Sequence, residues 1–118
     1  MPNIEVIGYK QEKSGALQGT IRSIMQSLGI EDAIVSEYPY PGVKVTRCNK
    51  SNDSAPFLRI VSSEPSPVFE ILSSFEKAFK EGVLYEEVEV MASTLGVMFF
   101  EPEEIKSGDW EEKFALQL

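Results

Sequence analysis

Apolar and β-branched residues crowd the first stretch, NIEVIGY, and predict a strand over 3–9. In the next stretch Leu17, Ile21, Ile24, Met25 and Leu28 step by four, three, one and three, which is one face of a helix. Ser14 is a candidate N-cap, and Gly29 is the expected terminator. Gly19 weakens the helix interior by about 1 kcal/mol relative to alanine, so it is expected to mark a close packing contact. Two short β runs follow, over 33–37 and 43–47, with PYPG between them as a turn. The polar stretch CNKSNDSA, 48–55, reads as a loop. A second strand is predicted over 56–63, and Ser66-Pro67 as the start of a second helix, the serine capping and the proline in the first turn. Val68, Ile71, Leu72, Phe75 and Phe79 repeat the helical stripe up to Gly82, and β runs over 87–92 and 96–100 close the pattern around a Thr-Leu-Gly bend.

The order is strand, helix, strand, turn, strand, twice. Pro2 in PNIEVI and Pro56 in PFLRIV are 54 positions apart, and Glu31-Asp32 and Glu86-Glu87 are 55 apart, a weak internal repeat. A β-α-β unit joins parallel strands, so two of them predict an α+β fold: a four-stranded mixed sheet with two helices on one face. The chain is expected to form a single domain, 1–118, with halves 2–50 and 56–105 and a C-terminal arm over 106–118. In FLRIV, Phe57, Arg59 and Val61 share one sheet face while Leu58 and Ile60 share the other. Glu5, Lys44 and Glu89 interrupt their strands in the same way. One face is then apolar and the other mixes apolar side chains with charges. Too apolar to stay bare and too polar for a dry core, the second face is expected to be covered by copies of the same chain.

At 118 residues and 42% hydrophobic, the chain has an ordinary size for one globular core. No apolar run approaches the roughly 20 residues that cross a bilayer, and no basic region precedes an apolar one at the start, so a cytoplasmic protein is expected. The single cysteine, Cys48, allows no internal disulfide and reads as a small residue at a strand end. Nineteen acidic residues against eleven basic ones give a net charge of −8, which argues against nucleic acid and anionic membrane as partners. There is no histidine, and hence no Ser-His-Asp or Cys-His site, and the commonest transition-metal ligand is missing. CxxC, phosphate-loop and GxGxxG motifs are also missing. No metal or cofactor is expected, and any chemistry falls to carboxylates, tyrosines, lysines, arginines or a terminal amine.

That last possibility bears on the start of the chain. A Met-Pro beginning with a strand directly after the proline, matched by PFLRIV opening the second of two β-α-β units, resembles the tautomerase superfamily, the fold of 4-oxalocrotonate tautomerase and macrophage migration inhibitory factor. The resemblance implies removal of Met1, Pro2 as the catalytic amine, and a trimer with three sheets around a central channel. The chemistry is coherent: desolvation or a nearby cation lowers the pKa of a prolyl amine, and a general base works best with a pKa near the working pH. The expected reaction is keto–enol isomerisation of a small 2-oxo acid. Pro2 could equally be a proline tolerated at an exposed terminus.

A substrate carboxylate or developing enolate also needs a cation. The resemblance places such groups near the start of the first helix and around the second or third strand, which makes Lys10, Lys13, Lys44, Arg47 and Arg59 the candidates. Arg59, inside an apolar strand, invites a role, and an ion pair with Glu5 or Glu89 competes with it. Tyr38, beside Pro39, is a candidate to orient the substrate, with Tyr40 and Tyr9 close to it in the sequence. Phe99, Phe100, Trp110 and Phe114 could close a pocket or pin a C-terminal arm. The clear arginine pairs of better-known members are absent, and the negative charge opposes anionic substrates. The alternatives are a non-catalytic trimeric binding or assembly protein of the same fold, and a dimeric ferredoxin-like regulatory domain.

Overall fold

Strand β1 (Asn3–Lys10) runs straight into helix α1 (Gln11–Ser27), and strand β2 (Ile34–Tyr40) returns beside it. The second unit repeats the order with β3 (Phe57–Ser62), α2 (Pro65–Lys80), β4 (Val90–Thr94) and β5 (Met98–Phe100). Two short helices, α3 (Pro102–Ser107) and α4 (Trp110–Gln117), complete the chain. The computed structural model describes residues 2–40, 56–85, 87–94 and 98–117. The predicted run over 43–47 and the polar loop 48–55, with Lys44, Arg47 and Cys48, lie outside the described residues.

The strands form one sheet in the order β2-β1-β3-β4-β5. Pairing is parallel inside each unit, β1 with β2 and β3 with β4, and antiparallel where the units meet, β1 with β3. The fold is α+β as expected, but among the described residues the sheet has five strands, because β5 folds back antiparallel on β4. Ile4 and Val6 of β1, Leu58 and Ile60 of β3, and Val90 and Ala92 of β4 point to the helix side. There they meet Leu17, Ile21 and Met25 of α1 and Val68, Ile71, Leu72 and Phe75 of α2, forming the buried core. Among the described residues, no helix is long and apolar enough to cross a membrane.

Local chemistry explains where the elements start and stop. Gly29 and Gly82 follow their helices with φ of 70° and 76°, the left-handed conformation that ends a helix and that glycine adopts without strain. The starts fall earlier than predicted. Helix α1 begins at Gln11 with Lys10 at its N-cap, so Ser14 is buried in the first turns instead of capping. Helix α2 begins at Pro65 with Glu64 at its N-cap. Prolines 65 and 67 both fit there, since the first N–H groups of a helix have no internal acceptor to lose. Strand β2 does not end at 37 but runs through Pro39 to Tyr40. As an edge strand it tolerates a proline whose missing donor faces away from the sheet.

A bulge shifts the register of β1 against β2: Ile7 opposes Tyr38, yet Lys10 opposes Tyr40. Gly8 at φ 82° lies in that shift, and after it Tyr9 joins the core. The packing contact expected at Gly19 is absent. A Cβ there, or at Gly15, would meet no atom within 4 Å, so both glycines cost the helix entropy and give no packing in return. Gly15→Ala and Gly19→Ala are each expected to stabilise the protein by up to about 1 kcal/mol. A rise of several degrees in the melting temperature of the double variant would show it, and an unchanged melt would mean that one of these glycines serves another purpose.

Candidate active site

Pro2 stands immediately before β1, buried, and its carbonyl accepts the N–H of Ile34 at 3.0 Å. Asn3 opposes Ile34 on one side and Val61 on the other. The antiparallel register therefore carries Pro2 alongside Ser62, the last residue of β3, which in turn opposes Thr94, the last residue of β4. Both hydroxyl residues are buried. Each closes a local turn: Ser62 Oγ accepts the N–H of Glu64 at 3.2 Å, and Thr94 Oγ1 accepts the N–H of Met98 at 3.1 Å. A hydroxyl that accepts still has its own hydrogen to donate.

The segments that meet at this end carry acidic charges, and Arg22 of α1 lines a cavity with Gly29, Ile30, Glu31, Ala33 and Val35 next to them. Glu31 and Asp32 precede β2, and Glu64 caps α2. Residues 2–6, 29–35, 60–67 and 90–94, whose backbones meet at this end of the sheet, contain no lysine or arginine.

The cations named from the sequence lie elsewhere. Lys10 is eight strand positions beyond Pro2, about 25 Å at the usual rise, and belongs to the opposite end of β1. There it lines a cavity of about 440 Å³ with Tyr9, Lys13, Tyr40, Pro56, Glu87 and Glu89 among its walls. Lys13 is already engaged, 3.6 Å from Glu87 and over the rings of Tyr9 and Tyr85. The two prolines of the repeat thus mark opposite ends of the β1–β3 pair: Ile7 opposes Phe57, so Pro56 falls beside Gly8 as Pro2 falls beside Ser62.

Arg59 and Tyr38 lie between these ends, on the sheet face away from the helices. Arg59 directly opposes Glu5, and its guanidinium binds that carboxylate through Nε at 2.9 Å and Nη2 at 2.7 Å. Of the two readings for Arg59, the cross-strand ion pair is the one formed. Tyr38 opposes Ile7 and is 41% exposed.

Pro2, Lys10, Tyr38 and Arg59 therefore do not converge within one protomer, and Lys44 is outside the described residues. A strand of eight residues is longer than any side chain can bridge, so groups at its two ends cannot share a site in the same copy. Ser62, Thr94 and Glu64, which do lie at the end of the sheet that holds Pro2, were not singled out by sequence. Serine and threonine at strand ends are too common to signal anything until the register is known.

On the face carrying Arg59, Ile7 and Phe57 are buried, but other apolar side chains of the described residues stay exposed. Ile34 and Phe99 are each 46% exposed on the two edge strands, with Val61 and Met91 half-buried between them. This is the mixed face read from the strand alternation.

No protein-family model and no curated protein matches the sequence. Among solved structures, a wild-type fused 4-oxalocrotonate tautomerase, described as a symmetric trimer, aligns with 79% of this chain and 83% of its own at 17% identity and a TM-score of 0.40. Macrophage migration inhibitory factor of Toxoplasma gondii aligns with 84% of this chain and 98% of its own at 15% identity and a TM-score of 0.38. The scores describe a loose likeness, and the strand order and pairing establish the fold without it.

Proposed function

We propose that the chain works as a homotrimer and that Pro2, once freed of Met1, is the general base of a keto–enol isomerase for a small 2-oxo acid. The observation that carries this reading is the burial of Pro2 at the head of β1, in register with the buried Ser62 and Thr94. Burial disfavours the charged form of an amine and so favours a nitrogen able to accept a proton. The proline nitrogen takes a proton from the carbon beside the carbonyl, the electron pair moves onto the carbonyl oxygen, and the proton returns to that oxygen. The ring fixes the direction of the lone pair. Among the described residues, the strand and loop segments that meet around Pro2 hold no lysine or arginine, and the proposed source of a cation for the substrate carboxylate is a neighbouring copy. Trimer formation across the mixed sheet face brings such a group in.

Exchange of phenylpyruvate between its enol and keto forms tests the reading. Pro2→Ala is expected to lower kcat/KM by about 10²-fold, the lower end of what a positioned base contributes. Equal rates for the two proteins would defeat it.

A second reading is favoured by the carboxylates at the same end. Glu31, Asp32 and Glu64 favour a charged amine and repel an anionic substrate. On this reading the fold is a non-catalytic trimeric binding or assembly protein, and the proline is structural. Intact-mass measurement separates the two, since a retained Met1 blocks the amine and leaves only the second.

A further inference from the structure

The sheet end that holds Pro2 does not account for a groove on the helix side of the molecule. Helix α4 leans on the first two turns of α2, and between them lies a cavity of about 500 Å³, within the size range of small-ligand pockets. Its walls are mostly apolar: Pro65 and Phe69 from α2, Phe114 and Ala115 from α4. Phe69 is 42% exposed, so part of its ring faces the open groove, and the ring packs edge-on against Phe114 at 5.2 Å. The groove's acidic groups are Glu70 and Glu111, one from each helix, and no lysine or arginine lines it.

We propose that this groove binds a small organic cation, an ammonium head on an apolar body. Three features select that chemistry. Aromatic rings attract a cation through their negative faces, more strongly as the site loses water. Two carboxylates on opposite walls supply the counter-charge. The groove also opens at the start of α2, a place that would ordinarily favour an anion through its free N–H groups, but Pro65 and Pro67 remove two of those donors and Glu64 stands at the N-cap. A neutral ligand would leave the carboxylates unused, and an anion would be repelled by them.

Trp110, the only tryptophan in the chain, provides the readout. It is fully buried and packs edge-on against both Phe69 and Phe114, at 5.3 and 6.5 Å between ring centroids. Benzyltrimethylammonium is expected to change Trp110 fluorescence saturably, with millimolar or tighter affinity, while benzyl alcohol and phenylacetate at the same concentrations do not. Glu70→Gln with Glu111→Gln should weaken binding about tenfold, and Phe69→Leu should weaken it several-fold. Glu70 and Glu111 are exposed, so the double glutamine variant is expected to melt like the parent; Phe69→Leu also removes edge contacts to Trp110 and Phe114, so its affinity is read well below its own melting temperature. Phenylacetate binding as tightly as the ammonium probe, or unchanged affinity in the double glutamine variant, would overturn the proposal. So would the absence of any saturable signal, checked by calorimetry on the same samples.

Discussion

Trp110→Ala is expected to lower stability by about 3–5 kcal/mol, the range for truncating a large buried aromatic. Trp110 begins α4, is fully buried, and is held by Phe69 and Phe114. Phe114 stacks in turn on Phe100 of β5, at 6.1 Å and 17° between planes. The C-terminal helices are thereby tied to both α2 and the last strand of the sheet. A polar fastening reinforces them: Lys113 Nζ donates to the carbonyl of Phe99 at 2.6 Å and to Glu104 at 3.2 Å. Removing the indole leaves a cavity where those layers meet. Because native domains hold only about 5–15 kcal/mol in total, the variant should melt well below the parent, with urea unfolding followed by circular dichroism as the measurement. Leu116→Ala is the control, since Leu116 is almost wholly exposed and its loss should be silent. If Trp110→Ala melts like the parent, α3 and α4 are an appendage and not part of the core.

If the proposed trimer forms across the mixed face, Val61→Lys is expected to convert it to single chains without unfolding them. Val61 is half-buried on the mixed face, between Asn3 and Ser93. In a lone chain, a lysine there can lay its stem along the sheet and keep its ammonium in water. In an assembly that covers this face, the same charge is trapped without a partner, at a cost of several kcal/mol per copy. Light scattering at constant concentration reads the mass, and a thermal melt reads the fold. A variant that keeps the parent's mass would show that the chain does not associate through this face.

The hydrophobic pattern revealed the elements well and the site poorly, and the reasons differ. Leu17, Ile21 and Met25, or Val68, Ile71 and Phe75, declare a helix because burial has to recur along one face whatever lies opposite. Helix starts were less legible. Ser14 and Ser66-Pro67 each carry the chemistry of a cap, but Lys10 and Glu64 occupy the caps without a side-chain hydrogen bond. Packing against the sheet decides those boundaries, and a cap contributes too little to move them. Pro39 reads as a turn residue, yet it lies in a strand because that strand is an edge, which sequence does not announce. The Arg59–Glu5 pair was one of two readings for the same arginine, and only the antiparallel register of β1 and β3 decides it. The distribution of the candidate residues was hidden for the same reason: Pro2 and Lys10 are close in the sequence, but an extended backbone carries them apart.

The outer rims of the sheet have a consequence for how the protein can multiply. Among the described residues one rim is β5, three residues long, and the other is β2, broken in its donor pattern by Pro39. Neither is a good template for adding strand after strand, which is the route to fibrils. If copies associate as proposed, they would then have to meet through a flank of the sheet instead of a rim, and such contact stops once the apolar surface of that flank is covered.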